Sequence, residues 1–190
     1  MDFNDEFLIG GDELFENERF INHFHFMLDE YIPRIEQPIA FFLSCSKHKP
    51  YYKSPYRRVF YSMLSKNLGI RDISQIYTVS EPAIIVPEEL DGTKITKYDF
   101  PPEMLSSNGR RIFIERLADI LPKLLKAHKY SFYILPKHHK LIFEEALDLI
   151  QRRNPLVKEQ KNNIISRVKY APPLTYNLPK TKQIIIDTLK

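Results

Sequence analysis

Apolar positions along this chain recur with two periods, and the alternation between them predicts most of its elements. From Asp12 to about Tyr31, the residues Leu14, Phe15, Phe20, Ile21, Phe24, Met27, Leu28 and Tyr31 return at helical spacing. Pro33 and Pro38 end that helix. They lead into Ile39-Ala-Phe-Phe-Leu43, a short continuous apolar run of the kind that forms a fully buried strand. A second helix is predicted from Pro55 to Leu68, with Ser54 as N-cap, Pro55 at the first helical position and Gly69 as C-cap. Ile73 to Val79 makes a second strand, and a further apolar run, Ala83 to Val86, follows it. The segment Tyr98-Asp-Phe-Pro-Pro102 is irregular, because its prolines rule out a central strand.

Arg111 to His128 is amphipathic, and Pro122 inside it predicts a kink or a break. Tyr130 to Leu135 is the third clear strand, and Pro136 starts a helix that runs to about Arg153. Ile164 to Val168 is a fourth, weaker strand. Tyr170 to Pro179 forms a proline-rich connector before a terminal helix, Thr181 to Lys190, that either docks on its own domain or serves a dimer contact. Residues 1–10 form a short N-terminal piece that turns at Gly10-Gly11. Strands alternating with helices imply a mainly parallel sheet covered on both faces. The expectation is a three-layer α/β/α domain with four strands over residues 1–170, followed by the connector and helix 171–190.

Composition narrows the classes. A chain of 190 residues is long enough for one well-formed core. No run approaches the ~18 apolar residues of a membrane helix, and the acidic start, Met-Asp-Phe-Asn-Asp-Glu, is unlike a signal or transit peptide. A cytoplasmic location is expected. With one cysteine there is no internal disulfide, and no cysteine-based zinc site is expected. The net charge of +4 is unevenly spread, with an acid-rich first 36 residues and basic clusters at 47–58 and 123–140 that suit phosphate binding. There is no glycine-rich phosphate loop, no nucleophile elbow and no zincin motif, so no cofactor or resident metal is expected.

The polar residues that the core does not need cluster at the exit of the first buried strand, Ser44 to Arg58. Strand, loop and helix follow in order, which puts the cluster at the carboxyl end of a strand, where open α/β sheets bind ligands. Cys45 is the sharpest candidate. A thiol flanked by Lys47, His48 and Lys49 sits in a field that favours the thiolate, although a free cysteine at a strand end also packs as a small apolar residue. Lys49 is held extended by Pro50 and suits anion binding or proton transfer. Ser44 and Ser46 can donate to a ligand, and so can Ser54 unless it serves only as the helix cap. Tyr51, Tyr52 and Tyr56 interleave with cations, the texture of a base-stacking surface. Glu88, Glu89 and Asp99 are the acids expected to face the same crevice. His23 and His25 are not at the i, i+4 spacing of a metal pair. His138 and His139 open a helix, and adjacent residues there diverge by ~100°, which makes a poor chelate.

The segment Cys45-Ser46-x-x-Lys49-Pro50-Tyr51-x-x-Ser54 resembles the C-S-x-x-K-P-Y-x-x-S signature of archaeosine synthase, a tRNA-modifying enzyme of archaea. Two further features match in order, Ser80 with Val86-Pro87-x-Glu89-Leu90, and Tyr98-Asp99-x-Pro101. The resemblance spans about 16–150. The family usually has Pro where this chain has Ser44, and Ser-His where it has Tyr56-Arg57. The resemblance implies a fold similar to uracil-DNA glycosylases and a substrate, 7-cyano-7-deazaguanine in tRNA, to whose nitrile the amine of free lysine adds. It also implies a partner protein that supplies the RNA-binding domain or radical chemistry. On this reading Cys45 attacks the nitrile, with Asp99, Glu89 and Lys49 as the other catalytic groups. Arg57, Arg58 and Lys49 hold phosphates, Tyr51 packs on a base, and Ser44, Ser46, Ser54 and Ser80 complete the binding set. The alternative from another class is a non-catalytic tRNA-binding subunit.

Overall fold

The computed structural model describes residues 6–153 and 164–190; the first five residues of the predicted N-terminal piece lie outside them. The apolar runs become the strands of one five-stranded sheet. Its centre is β2 (Ile39–Ser44), with β1 (Leu8–Ile9) belonging to a separate small pairing. β3 (Ser74–Ser80) and β6 (Tyr130–Ile134) flank β2, both parallel to it. β4 (Ile84–Pro87) lies outside β3, and β7 (Val168–Tyr170) outside β6, giving the order β4-β3-β2-β6-β7. β5 (Tyr98–Asp99) pairs in parallel with β1 in the second, two-stranded sheet.

The fifth strand corrects the expected count of four. Only Glu81, Pro82 and Ala83 separate β3 from β4, too short a link for a parallel crossover, so the second apolar run folds back antiparallel. Parallel pairing elsewhere places successive strand exits side by side at one end of the sheet.

The alternation along β2 divides two cores. Ala40 and Phe42 face one side, against Tyr77 and Val79 and the helices α3 (Ser107–Ala127) and α4 (Lys137–Arg153). Ile39, Phe41 and Leu43 face the other, with Phe60 and Met63 from α2 (Pro55–Ser62) and its π-helical extension to Leu68. Ala171, Leu174 and Ile185 of the C-terminal segment join that second core, so the terminal helix docks on its own domain.

Several boundaries differ from the sequence reading. The segment 12–31 is a 3-10 turn (Asp12–Glu16), then α1 (Glu18–His25), then a π-helical turn (Phe26–Glu30). The ammonium of Lys123 donates to the carbonyls of Met27 and Leu28 at 3.0 and 2.8 Å, satisfying groups at the end of that turn. α3 runs through Pro122 as a single element, held on both flanks by buried Leu117, Leu121, Leu124 and Leu125. Ile164–Arg167 is a 3-10 turn, and the strand begins only at Val168. Helix α5 (Leu174–Leu189) takes in much of the predicted connector, with a break at Asn177. Among the described residues no helix is long and apolar enough to cross a membrane.

Candidate active site

Three strand exits meet at the carboxyl end of the sheet. β2 ends at Ser44, and the amide of Cys45 donates to Val79 O at 3.0 Å, which carries the ladder one residue further. β3 ends at Ser80, so Glu81 enters the tight turn to β4. β6 is followed by Leu135 and Pro136, and α4 opens with Lys137, His138 and His139. Because β3, β2 and β6 are neighbours, these exits bring Glu81, Cys45 and His139 together. The cysteine sulfur, a ring nitrogen of His139 and a carboxylate oxygen of Glu81 all lie within 4.8 Å of one another.

The two adjacent histidines do converge, on one carboxylate. Nε2 of His138 is 2.9 Å from Oε1 of Glu81, and Nε2 of His139 is 2.9 Å from Oε2. Divergence on the helix prevents a shared point ligand, yet a carboxylate has two oxygens to offer. The Glu81 and His139 side chains are 8% and 10% exposed, whereas His138 is 44% exposed. Burial alone would favour an uncharged Glu81. The His139 charge and the hydrogen bonds from both histidines outweigh it and hold the carboxyl well below the usual range. Burial likewise favours a neutral His139, but Glu81 and a hydrogen bond with Cys45 raise it to about 10. At neutral pH the ring is therefore an imidazolium, paired to Glu81 and facing the sulfur.

Around this cluster lies a cavity of about 420 Å3, lined among others by Ser44, Cys45, Ser46, Lys49, Ser80 and Asp99. Lys49 donates to the carbonyl of Tyr98, and its ammonium lies 3.5 Å from the centroid of that ring. Burial lowers Lys49 to about 8, against the opposing pull of Cys45 and Asp99. Beneath the cavity the hydroxyls of Tyr51, Ser80 and Tyr98 form a buried cluster, with Ser80 Oγ 2.5 Å from the Tyr98 oxygen and Tyr51 3.1 Å from it. Asp91 braces the loop above, accepting from the amides of Tyr51 and Tyr52 at 2.8 Å each.

Other residues lie elsewhere than the sequence reading expected. Tyr51 is 1% exposed and has no free face on which a base can stack. Arg57 is buried, donating to Thr78 Oγ1 at 2.6 Å and Ser44 O at 3.4 Å, so its charge braces strand exits instead of facing phosphate. Ser54 is the buried N-cap of α2, accepting from the amide of Arg57 at 3.2 Å. Glu89 sits at the amino end of β3, bonded to Gln75 at 2.9 Å and to the Tyr31 hydroxyl at 3.0 Å, away from Cys45. Ser46 donates to His48 O at 2.9 Å, and Arg58 is exposed, donating to Lys53 O at 3.3 Å.

Sequence reasoning passes over Glu81 and sets His138 and His139 aside as a poor chelate, because spacing along one helix says nothing of a carboxylate supplied by another strand exit. The signal that finds them is position, since Ser80-Glu81-Pro82 and Pro136-x-His-His139 are both strand exits like Ser44-Cys45.

The family model for the domain of unknown function DUF5591 matches residues 19–169, from the first helix to the last strand. This chain belongs to that family. The match takes in β2, β3, β4 and β6 whole, the first two residues of β7, and every residue of the Cys45–Glu81–His139 cluster. Among curated proteins none matches the chain. A solved structure that resembles it is that of AF0587, a protein of unknown function, with 12% identity and a TM-score of 0.52. The alignment covers 88% of this chain and 49% of that one, so the chain spans about half the length of the structure it matches. At that identity the likeness is one of fold.

Proposed function

We propose that this DUF5591 chain is a tRNA-modifying enzyme of the archaeosine pathway that adds an amine, free lysine, to the nitrile of 7-cyano-7-deazaguanine in tRNA. The observation that carries this reading is the Cys45–His139–Glu81 cluster, set in a cavity that also takes in Lys49 and Asp99 of the archaeosine-synthase-like motifs. A nitrile carbon is an electrophile that a thiolate attacks, and the nitrogen then needs a proton. The Cys45 thiolate forms the C–S bond, one C–N π bond breaks, and the His139 imidazolium gives its proton to the nitrogen. The product is a covalent thioimidate with His139 neutral. A neutral amine next adds to the same carbon and passes a proton to His139. Expulsion of the thiolate leaves an amidine on the base and restores the starting cluster. Glu81 and His138 hold His139 in place throughout. Asp99, exposed at the cavity, faces the incoming lysine.

A second reading is a tRNA-binding subunit without turnover, and exposed Tyr52, Lys53 and Arg58 favour it, since they form a cationic, aromatic segment outside the cavity. Mass spectrometry after mixing the protein with tRNA that carries the cyano base separates the two. A lysine-sized gain on the tRNA, and a trapped protein adduct without lysine, support transfer through Cys45. Salt-sensitive tRNA binding with no mass change sinks it in favour of the binding subunit.

A further inference from the structure

Cys45, Glu81 and His139 make a triangle, and this shape has its own meaning. In a relay the imidazole stands between nucleophile and acid, and one ring nitrogen serves each. Here a single donor atom from each residue lies within 4.8 Å of the other two, so sulfur, nitrogen and oxygen close on one point. Glu81 and His139 are buried and Cys45 is partly so. Two anionic donors and an imidazole around one point are what a borderline-soft divalent cation takes, and the donor set of thiolate, imidazole and carboxylate suits zinc above magnesium or calcium.

We propose that this triangle is a zinc site with three protein ligands, Cys45, His139 and Glu81, and a fourth position open to the cavity. His138 is its outer support. It hydrogen-bonds the Glu81 oxygen that faces away from His139 and so orients the carboxylate, as outer partners of metal ligands do. Coordination needs the thiolate and the neutral ring, so zinc binding releases protons to solvent. Only small closing movements of the side chains are required, since the donors already face one another. If the thiol chemistry proposed above holds, bound zinc switches it off by tying up the nucleophile; the site itself does not depend on that chemistry.

The test uses the full chain and the metal alone. Zinc is titrated in competition with a chromophoric chelator, and cobalt is then substituted to report on the ligands. The expected results are one metal per chain and a cobalt spectrum with a thiolate charge-transfer band, which Cys45 alone can supply because it is the only cysteine. Cys45→Ala and His139→Gln lose tight binding, and His138→Gln weakens it about tenfold. Thermal melts of each variant separate lost ligation from lost folding, and Cys45→Ser, which alters one atom, serves if another variant unfolds. Zinc affinity unchanged by Cys45→Ala, or cobalt bound without the thiolate band, overturns the proposal. Since no tRNA or lysine enters the assay, its failure leaves the transfer reaction standing, and the failure of transfer leaves the metal site standing.

Discussion

His139 is where the chemistry proposed here concentrates. It is the proton donor that faces Cys45, and Glu81 holds it charged at neutral pH. Removing such a group costs ~100- to 10,000-fold in rate when it transfers protons in the transition state. His139→Gln is therefore expected to lose about that much turnover of cyano-base tRNA, measured by single-turnover kinetics, while tRNA affinity stays near wild type. Loss of affinity with an unchanged chemical step would point to a structural role. The two neighbouring arginines are expected to part company. Arg57→Ala removes charged hydrogen bonds to Thr78 and Ser44 inside the fold, at about 2–3 kcal/mol of stability by denaturant unfolding. Arg58→Ala, on the exposed face, leaves stability unchanged and reduces the salt slope of tRNA binding by about 0.7–0.9. The arginines were legible as a basic pair. Which one faces water was not, because α2 turns adjacent residues ~100° apart and the sheet decides which direction is inside.

At the scale of elements, the entry of α3 shows how remote residues complete a local signal. Ser106 caps the helix, accepting from the amides of Asn108 and Gly109 at 3.1 and 3.3 Å. Asp12, far off in sequence, also accepts from the Gly109 amide at 3.0 Å and places a negative charge at the helix start. A Cβ on Gly109 would lie 2.0 Å from Asp12 Oδ1, so this close approach requires glycine. Gly109→Ala is expected to displace Asp12 and cost about 1–2 kcal/mol, the scale of a lost helix cap. Equal stability in urea titrations would show that the Asp12 contact contributes nothing. The terminal helix supplies a second check. Ile185 is fully buried in the core beneath α2, so Ile185→Ala is expected to cost about 2–5 kcal/mol with no change in oligomeric state by light scattering. Periodicity found both helices but not their starts, since α3 begins at Ser107 instead of Arg111 and the terminal helix at Leu174 instead of Thr181. It could not show that Pro122 is tolerated, because packing on both sides of α3 outweighs the one lost backbone bond.

The molecule as a whole titrates through its buried histidines. Burial lowers His23 to about 4 and also lowers His128, while backbone carbonyls of Ile85 and Gln37 accept from or face their rings. A base with a depressed folded pKa is neutral in the native state but charges readily once unfolded. For these two groups the unfolded chain binds more protons below about pH 6.5, so their contribution holds above that pH and falls toward pH 4. His139, raised by Glu81 to about 10, works the other way, and its contribution is lost as pH climbs from about 6.5 toward 10. His23 alone accounts for about 3 kcal/mol of the loss toward pH 4. The melting temperature is expected to drop over that range, and His23→Gln, which keeps a donor for Ile85 O without titrating, flattens the drop. Much of this protein was already determined by its sequence: the α/β class, three of the sheet's strands, the caps of α2, and Cys45 at a strand exit. These follow from periodicity and turn chemistry, which act between near neighbours on the chain. The tertiary structure alone decided that β4 folds back as a fifth strand, that Glu89 lies at the far end of β3, and that Glu81 and His139 meet Cys45. Those outcomes depend on which strands lie side by side, and strand order is set by crossovers and burial across the whole sheet, which no local run of residues encodes.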